Sequence, residues 1–305
     1  MTGPTDRSSP AGTAAPQPRA VPEGWQAGLE RDRAATLAAF RDGTRSPYAA
    51  VARHDFSGAL PLLFGSAEGC DARLEGLAPQ HLRIQVAGDH FQLAAVDAGA
   101  TFRLPLPGEP RPAPALREAV APASARVEAG RYLLRLSHQN FPAVLVLDPE
   151  SPRLADGKPP LWFPADPDFR VEARLAPSAE APVQVVRSTR GQERRALRLG
   201  SLHFSLLGQP LSLIALRLLE PGTGEATVSI FFRDQTSGHD SYPVGRYIDA
   251  TQIDGGAPGL YLLDFNRAYN PACAFSPLYN CPIPPRDNTL PIAVRAGERD
   301  PGNHD

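Results

Sequence analysis

Short extended runs of residues, broken every few positions by glycine or proline, fill the sequence from about residue 58 onwards. The chain has 34 prolines and 26 glycines among 305 residues, and turn formers at this density interrupt helices and long strands alike. In the segment 170–175, charged and apolar side chains alternate, as in a strand with one face in a core and the other in water. Many such runs with close turns predict a mainly β protein with two β modules, first a sandwich and then a barrel or sandwich.

One segment near the N-terminus has helical periodicity instead. Trp25, Leu29, Leu37 and Phe40 fall on one stripe of a helix over residues 23–42. We expect residues 23–57 to form this helix and a linker that pack on the β modules. Residues 1–22 are rich in proline and lack an apolar stretch, so we expect a disordered tail there.

A polar, proline-rich segment over 149–160 separates the two modules. It predicts a first module over residues 58–150 and a second over 161–298. The second module ends in a long loop over 266–290, followed by a short predicted strand, Ile292–Arg295. A loop of this length without a strand pattern is usually functional or disordered, and its aromatic residues and cysteines argue against disorder.

Charge and composition exclude several classes of partner. The formal net charge of −2 lacks the basic excess of a general nucleic-acid binder. No run approaches the roughly 18 apolar residues that span a bilayer, and the N-terminus lacks the apolar core of a secretory signal. We therefore expect a cytoplasmic protein with reduced thiols, without nucleic-acid or membrane partners.

The most distinctive sequence motifs lie in the last third of the chain. They are Phe232-Arg233-Asp234-Gln235-Thr236-Ser237-Gly238, Tyr242, Gly245-Arg246-Tyr247, Asp264-Phe265-Asn266-Arg267-Ala268-Tyr269-Asn270-Pro271, Cys273, Tyr279-Asn280-Cys281-Pro282 and Arg295-Ala296-Gly297-Glu298. Over about residues 23–298 the chain resembles the bacterial family catalogued as domain of unknown function 1684. It departs from that family at Ala272, Phe275, Asp287 and Pro243. The resemblance implies a family without an established reaction.

A second resemblance concerns the first module. The spacing of Phe64-Gly65-Ser66, residues 70–74 and residues 78–84 is similar to that of a forkhead-associated β-sandwich. In that family an arginine and a serine bind the phosphothreonine, whereas this chain has Ser66 and Ala78 at those positions. Without the guanidinium the phosphate loses its bidentate partner. The resemblance therefore implies a degenerate sandwich that does not bind phosphopeptides, with His81 as a structural loop residue.

The candidate site is a set of polar side chains in the family-like motifs. Arginine forks, hydroxyls and amides together can surround the oxygens of a carboxylate or phosphate. The strand ends on which several of them stand are positions where loops display functional groups. We therefore predict that a small anionic ligand binds through Arg233, Asp234, Thr236, Tyr242, Arg246, Asn266, Arg267, Tyr269 and Asn270.

Two alternatives remain open from the sequence. The same arginines can act as structural clamps on the long loop, in which case the protein is an interaction scaffold without a pocket. A hydrolase would use Cys273 or Ser237 as nucleophile with His239 as base. The spacing of the cysteines and histidines predicts no metal site, and the absence of a Gly-rich phosphate loop predicts no nucleotide cofactor.

Overall fold

The computed structural model describes residues 21–106, 112–180, 182–220, 228–253, 255 and 257–302, and in them two β modules follow one long helix. Helix α1 spans Trp25–Arg41, close to its predicted bounds. Its buried stripe lies against the C-terminal part of the second module rather than against a sheet face, since Trp25 Nε1 donates to Asp264 Oδ2 over 2.7 Å. Residues 1–20 of the predicted tail lie outside the described residues.

The first module is a β-sandwich of two mainly antiparallel sheets. Its strands are β1 (Ala50–Asp55), β2 (Leu62–Gly65), β3 (Ala72–Arg73), β4 (Leu82–Ala87), β5 (His90–Ala95), β6 (Glu118–Pro122), β7 (Arg126–Ala129), β8 (Tyr132–His138) and β9 (Pro142–Leu147). One sheet has the order β1-β9-β8-β7 and the other β3-β2-β4-β5-β6. Their inner faces share one apolar core, in which Phe64 and Phe91 meet Leu134 and Val146.

The second module is a barrel. After the short helix α2 (Arg153–Asp156) come β10 (Arg170–Pro177), β11 (Val183–Arg187), β12 (Glu193–Leu206), β13 (Gln209–Leu218), β14 (Val228–Phe232), β15 (Arg246–Gln252) and β16 (Leu260–Asp264). The order is β10-β16-β15-β14-β13-β12, and β12 also pairs with β10. This last pairing closes six strands into a barrel, while β11 extends the sheet on the other half of β12.

The long C-terminal loop is packed between the two modules. Leu278 and Tyr279 contact the outer face of the first sandwich at Leu133 and Leu145. Arg153 of α2 donates to the backbone oxygen of Phe275 over 2.7 Å. The loop is therefore held by both apolar contacts and hydrogen bonds.

Several strands differ from the predicted ones. Residues 50–55, expected in a linker, form β1, because backbone pairing with β9 does not require a strong apolar alternation. Strand β15 was likewise not predicted. The predicted strand Ile292–Arg295 is wrong: this segment has no strand partner among the described residues and instead lines the barrel end with Ile292 and Val294 in the core. Strand β12 runs through Gly200 with a bulge between Arg198 and Gly200.

Of the helices in the described ranges, none combines the length and apolar content that crossing a membrane requires.

Gly43, just after α1, supports a prediction on how the helix is joined to the first module. A Cβ at residue 43 would lie 2.6 Å from the Pro149 Cα, and backbone cannot yield cheaply at that distance. We expect Gly43→Ala to lower the free energy of unfolding by about 1–3 kcal/mol, in the range of overpacked sites, as measured by urea denaturation. The control is Gly69→Ala, where nothing lies within 4 Å of the added Cβ; an equal effect of both substitutions would contradict the argument.

Candidate functional site

Arg246 is the most deeply buried of the predicted ligand-binding residues. Its side chain is 0% exposed and its Nη2 donates to Asp234 Oδ2 over 2.8 Å. The same guanidinium donates to the backbone oxygens of Val294, Ala296 and Glu298. We call this arrangement the Arg246 clamp. It fixes the C-terminal segment against the end of the barrel and leaves Arg246 without access to a solvent-borne ligand.

Asp234 and Thr236 belong to the same clamp. Asp234 Oδ1 accepts hydrogen bonds from the Thr236 backbone N–H over 2.7 Å and from its hydroxyl over 2.6 Å. It also accepts one from the Val294 N–H over 3.2 Å. Both residues are buried, so a carboxylate and a hydroxyl that the sequence suggested as ligand contacts instead bind other groups of the protein.

Three further predicted residues also bind backbone groups. Arg233 Nε donates to the Val244 oxygen over 3.0 Å. The Asn266 amide bonds with both the N–H and the oxygen of Asp166, and the Tyr242 hydroxyl donates to the Cys273 oxygen over 3.3 Å. The three arginines of the sequence motifs therefore do not share one cleft.

A hollow of about 320 Å³ lies between helix α1 and the segment that follows strand β16. The predicted residues that line it are Asn266, Arg267, Tyr269 and Asn270. The polar residues that complete it are Asp32, Arg33 and Thr36 from α1, together with Trp162 and Glu298. We call this cavity the α1 hollow. It is the place in the molecule where the largest share of the predicted residues comes together.

Arg33 forms the helix side of the α1 hollow. Its Nη2 donates to the Phe163 oxygen over 3.1 Å, and its guanidinium stands 5.5 Å from the centre of the Trp162 ring. The Nε atom of Arg33 is buried without a hydrogen-bond partner among the described residues. Buried donors are normally paired, so this atom has bonding capacity left for a bound molecule or water.

Asn270 and Glu298 form the opposite side of the hollow. The Asn270 backbone N–H donates to Glu298 Oε2 over 2.8 Å, and the Asn270 side-chain amide donates to the Arg299 oxygen over 2.7 Å. Asn270 Oδ1 is buried and has no partner in the described part of the chain. Arg33 and Asn270, which both line the hollow, therefore each carry a buried polar atom without a partner in the described residues.

Glu298 is the titratable group of this site. Its side chain is almost fully buried, and desolvation raises its pKa to about 7 despite the Asn270 N–H and the positive charge of Arg246. Near neutral pH this carboxyl group exchanges its proton. Burial also raises the pKa of the Tyr269 hydroxyl, with the neighbouring Asp249 carboxylate as a second cause.

Arg267 lies at the mouth of the hollow. Its side chain is 42% exposed and forms ion pairs with Asp32 of α1 and with Asp264. These pairs connect the helix to the barrel and balance the charge of Arg267. Asp32 is exposed whereas Asp264 is buried, so only the pair with Asp32 is of the exposed kind that contributes little to stability.

Three residues of the hollow, Arg33, Trp162 and Glu298, were not among those predicted from the sequence. Glu298 belongs to the Arg295-Ala296-Gly297-Glu298 motif, but nothing in that motif indicates that its side chain is buried. Arg33 stands on the predicted face of α1 between Leu29 and Leu37, and a charged residue inside an apolar stripe is the signal that could have identified it.

The predicted catalytic residues do not meet. Cys273 is half-buried beside Tyr242 and Cys281. Ser237 Oγ accepts from the Asp234 N–H over 3.2 Å within its own turn. His239 lies exposed in that turn, and its ring has no hydrogen bond to Cys273 or Ser237 in the described structure. A nucleophile needs a base within hydrogen-bond reach, so this geometry gives the hydrolase hypothesis no support.

The described residues contain no group of three or more His, Cys, Asp or Glu side chains placed to hold a metal ion. In the first module, His81 is held on both ring nitrogens, by the Ala78 N–H and the Thr101 oxygen. This is the structural role that the sequence suggested for it.

The Arg246 clamp predicts a large loss of stability on substitution. Arg246→Met leaves the Asp234 carboxylate and three backbone oxygens buried without their donor, and breaking a buried pair from one side costs about 3–5 kcal/mol. Denaturant unfolding of the two proteins measures this loss. Arg295→Met removes an arginine whose side chain is 64% exposed and should change stability by less than about 1 kcal/mol. Equal effects of the two substitutions would show that the clamp is not needed for the fold.

Glu298 predicts a pH-dependent stability. The folded state keeps the Glu298 proton up to a pH of about 7, whereas an unfolded glutamate releases it near 4.5. Folding therefore binds a proton over this range, and stability falls as pH rises through it, by about 3 kcal/mol at 1.36 kcal/mol per pKa unit. Glu298→Gln keeps an acceptor for the Asn270 N–H without the titration. We expect the variant to gain stability relative to the native protein between about pH 4 and pH 8, as measured by urea unfolding, and a pH-independent difference would contradict this.

Comparisons with known proteins place the second module in a family. Residues 161–299 match the family described as "Protein of unknown function (DUF1684)". The chain is also similar to the uncharacterized protein from gene locus rrnAC0354 of Haloarcula marismortui, whose solution structure was determined by NMR, with 36% sequence identity over 49% of this chain and 80% of that one and a TM-score of 0.40. No curated protein matches. The resemblance of the first module to forkhead-associated domains and the bacterial origin stay predictions. Through residues 161–299, which carry the barrel and every wall of the hollow except helix α1, the chain belongs to the DUF1684 family.

Proposed function

We propose that this protein binds a small organic anion, a carboxylate or a phosphate ester, in the α1 hollow. The observation that carries the proposal is the pair of unpartnered buried atoms, Arg33 Nε and Asn270 Oδ1, which belong to residues on opposite walls of that cavity. Leaving a buried donor and a buried acceptor unpaired costs about 1–3 kcal/mol each. A ligand with an acceptor for one and a donor for the other would recover that cost.

The charges around the hollow favour an anion. Arg33 forms no ion pair within the described residues, whereas Arg267 is already balanced by Asp32 and Asp264. The Glu298 carboxyl group holds a proton up to about pH 7, so it adds little negative charge below that pH. A ligand carboxylate or phosphate would therefore meet the Arg33 guanidinium, whose nearest charges Glu30 and Asp264 form no ion pair with it, and the partly exposed guanidinium of Arg267.

The remaining walls favour a ligand with an apolar part. Leu29, Phe40 and Phe275 line the hollow beside the polar groups, and the Phe40 and Phe275 rings pack edge to face with their centres 4.6 Å apart. A volume of about 320 Å³ is at the small end of the range for ligand cavities. Both facts support a compact organic anion rather than a bare inorganic ion.

Ligand-induced stabilisation tests the proposal. Unfolding is followed by calorimetry with inorganic phosphate, phenyl phosphate and benzoate as probes at pH 6. At a concentration a hundred times its dissociation constant, a bound probe adds about 2.7 kcal/mol of stability. We expect phenyl phosphate or benzoate to stabilise the protein more than inorganic phosphate does.

Thr36 offers a matched pair of variants, because its side chain lines the hollow and its hydroxyl bonds only within the helix. Thr36→Glu places a negative charge in the cavity and should abolish the stabilisation, while Thr36→Gln, of similar size, should retain part of it. Absence of a response to every probe, or equal responses of the two variants, would overturn the proposal and favour the scaffold alternative.

The other expectations on partners and location stay predictions. They are a cytoplasmic location and the absence of nucleic-acid, membrane and phosphopeptide partners.

A further inference from the structure

Two of the three cysteines meet in the C-terminal loop. Cys273 lies in the short turn Ala272–Ala274, and Cys281 follows eight residues later. Both side chains belong to one apolar cluster beside Phe231 and Tyr247, and their thiols are close enough to influence each other's pKa. Neither residue belongs to a strand, and a disulfide requires the two sulfur atoms to approach to about 2.05 Å.

The two thiols differ in exposure. Cys281 is buried, whereas Cys273 is half-buried and reachable from solvent. An oxidant therefore reaches Cys273 first, while the buried Cys281 is shielded from solvent. This is the order that a reactive cysteine and a resolving cysteine require.

Hydrogen-bond donors surround the Cys273 sulfur. The Tyr242 hydroxyl lies 3.8 Å from it, and Thr189, which also accepts the Cys281 N–H over 3.1 Å, lies beside it. Together with the Cys281 thiol, these donors lower the pKa of Cys273, while the pKa of the buried Cys281 is raised. A thiolate is the reactive form of cysteine, and these contacts favour it at Cys273.

We propose that Cys273 and Cys281 form a redox-active dithiol, which a hydroperoxide converts to an intramolecular disulfide. The inference is independent of the ligand proposed for the α1 hollow.

The reaction balances in two steps. The Cys273 thiolate attacks one oxygen of the hydroperoxide, the O–O bond breaks, and a sulfenic acid forms while hydroxide or alkoxide leaves. The Cys281 sulfur then attacks the sulfenic sulfur, and its proton and the departing hydroxyl group form water. Two thiols have lost two electrons, and the hydroperoxide has gained them. A dithiol reductant reverses the change.

Cys70 provides an internal reference. It lies in the first module, its thiol donates to the Pro79 oxygen over 3.2 Å, and burial raises its pKa. Its weaker thiolate character predicts slower oxidation than at Cys273.

The test uses the full-length protein, reduced and then treated with one equivalent of hydrogen peroxide. Titration of thiols in denaturant should fall from three to one, and a peptide mass map without reductant should show Cys273 joined to Cys281 with the loss of two hydrogens. Dithiothreitol should restore three thiols. A linked pair that includes Cys70, or an unlinked Cys273 peptide carrying stable oxygen additions, would overturn the proposal.

Variants separate the two roles. In Cys281→Ser the sulfenic acid at Cys273 has no partner, so dimedone should label Cys273 and the thiol count should fall by one. In Cys273→Ser the loss of thiols should slow by at least tenfold, and Cys70→Ser should still lose two. Circular dichroism checks that each variant is folded, and the mass map of the native protein decides the question if one of them is not. Equal oxidation rates in Cys273→Ser and in the native protein would contradict the proposal.

Discussion

The interaction on which the rest of the structure depends is the burial of one positive charge at the end of the barrel. The Arg246 guanidinium, which is fully buried, meets one carboxylate and three backbone oxygens. A buried cation must be paired and hydrogen-bonded, so the C-terminal segment has one position in which it can fold. That position brings Glu298 next to Asn270 and thereby creates the inner wall of the α1 hollow.

Helix α1 forms the remaining wall of the α1 hollow. On its own, the barrel would expose Trp162, Phe275 and the buried face of Glu298 to water. The helix covers them with Leu29, Arg33 and Phe40, and Trp25 joins it to the barrel through Asp264. The segment after β16, whose residues 266–270 also line the hollow, continues into the loop of Cys273 and Cys281. The loop packed between the two β modules therefore contributes residues to both the proposed ligand site and the proposed dithiol.

Local sequence patterns predicted much of the fold but little of the site. The alternation in β10 and the apolar stripe of α1 follow directly from which side chains are buried, so the predicted bounds of these two elements are close to those in the structure. Closure of the barrel depends on β10 pairing with β12, a contact distant in sequence that no local pattern encodes. For Arg233, Arg246 and Arg267, the sequence motifs identified the residues but did not indicate what each side chain binds. A guanidinium binds a backbone oxygen, a carboxylate or a ligand with the same donors, and only burial distinguishes these cases.

The α1 hollow combines one wall from outside the family-matched segment with others from within it. The matched part supplies Arg267, Tyr269, Asn270 and Glu298, and the helix supplies Arg33 and Thr36. Replacement of the helix alone would therefore give a cavity of different shape and charge on an unchanged barrel. On the proposal that the hollow binds an anion, proteins that share this barrel would differ in the anion they bind without any change to the interactions that hold the barrel together.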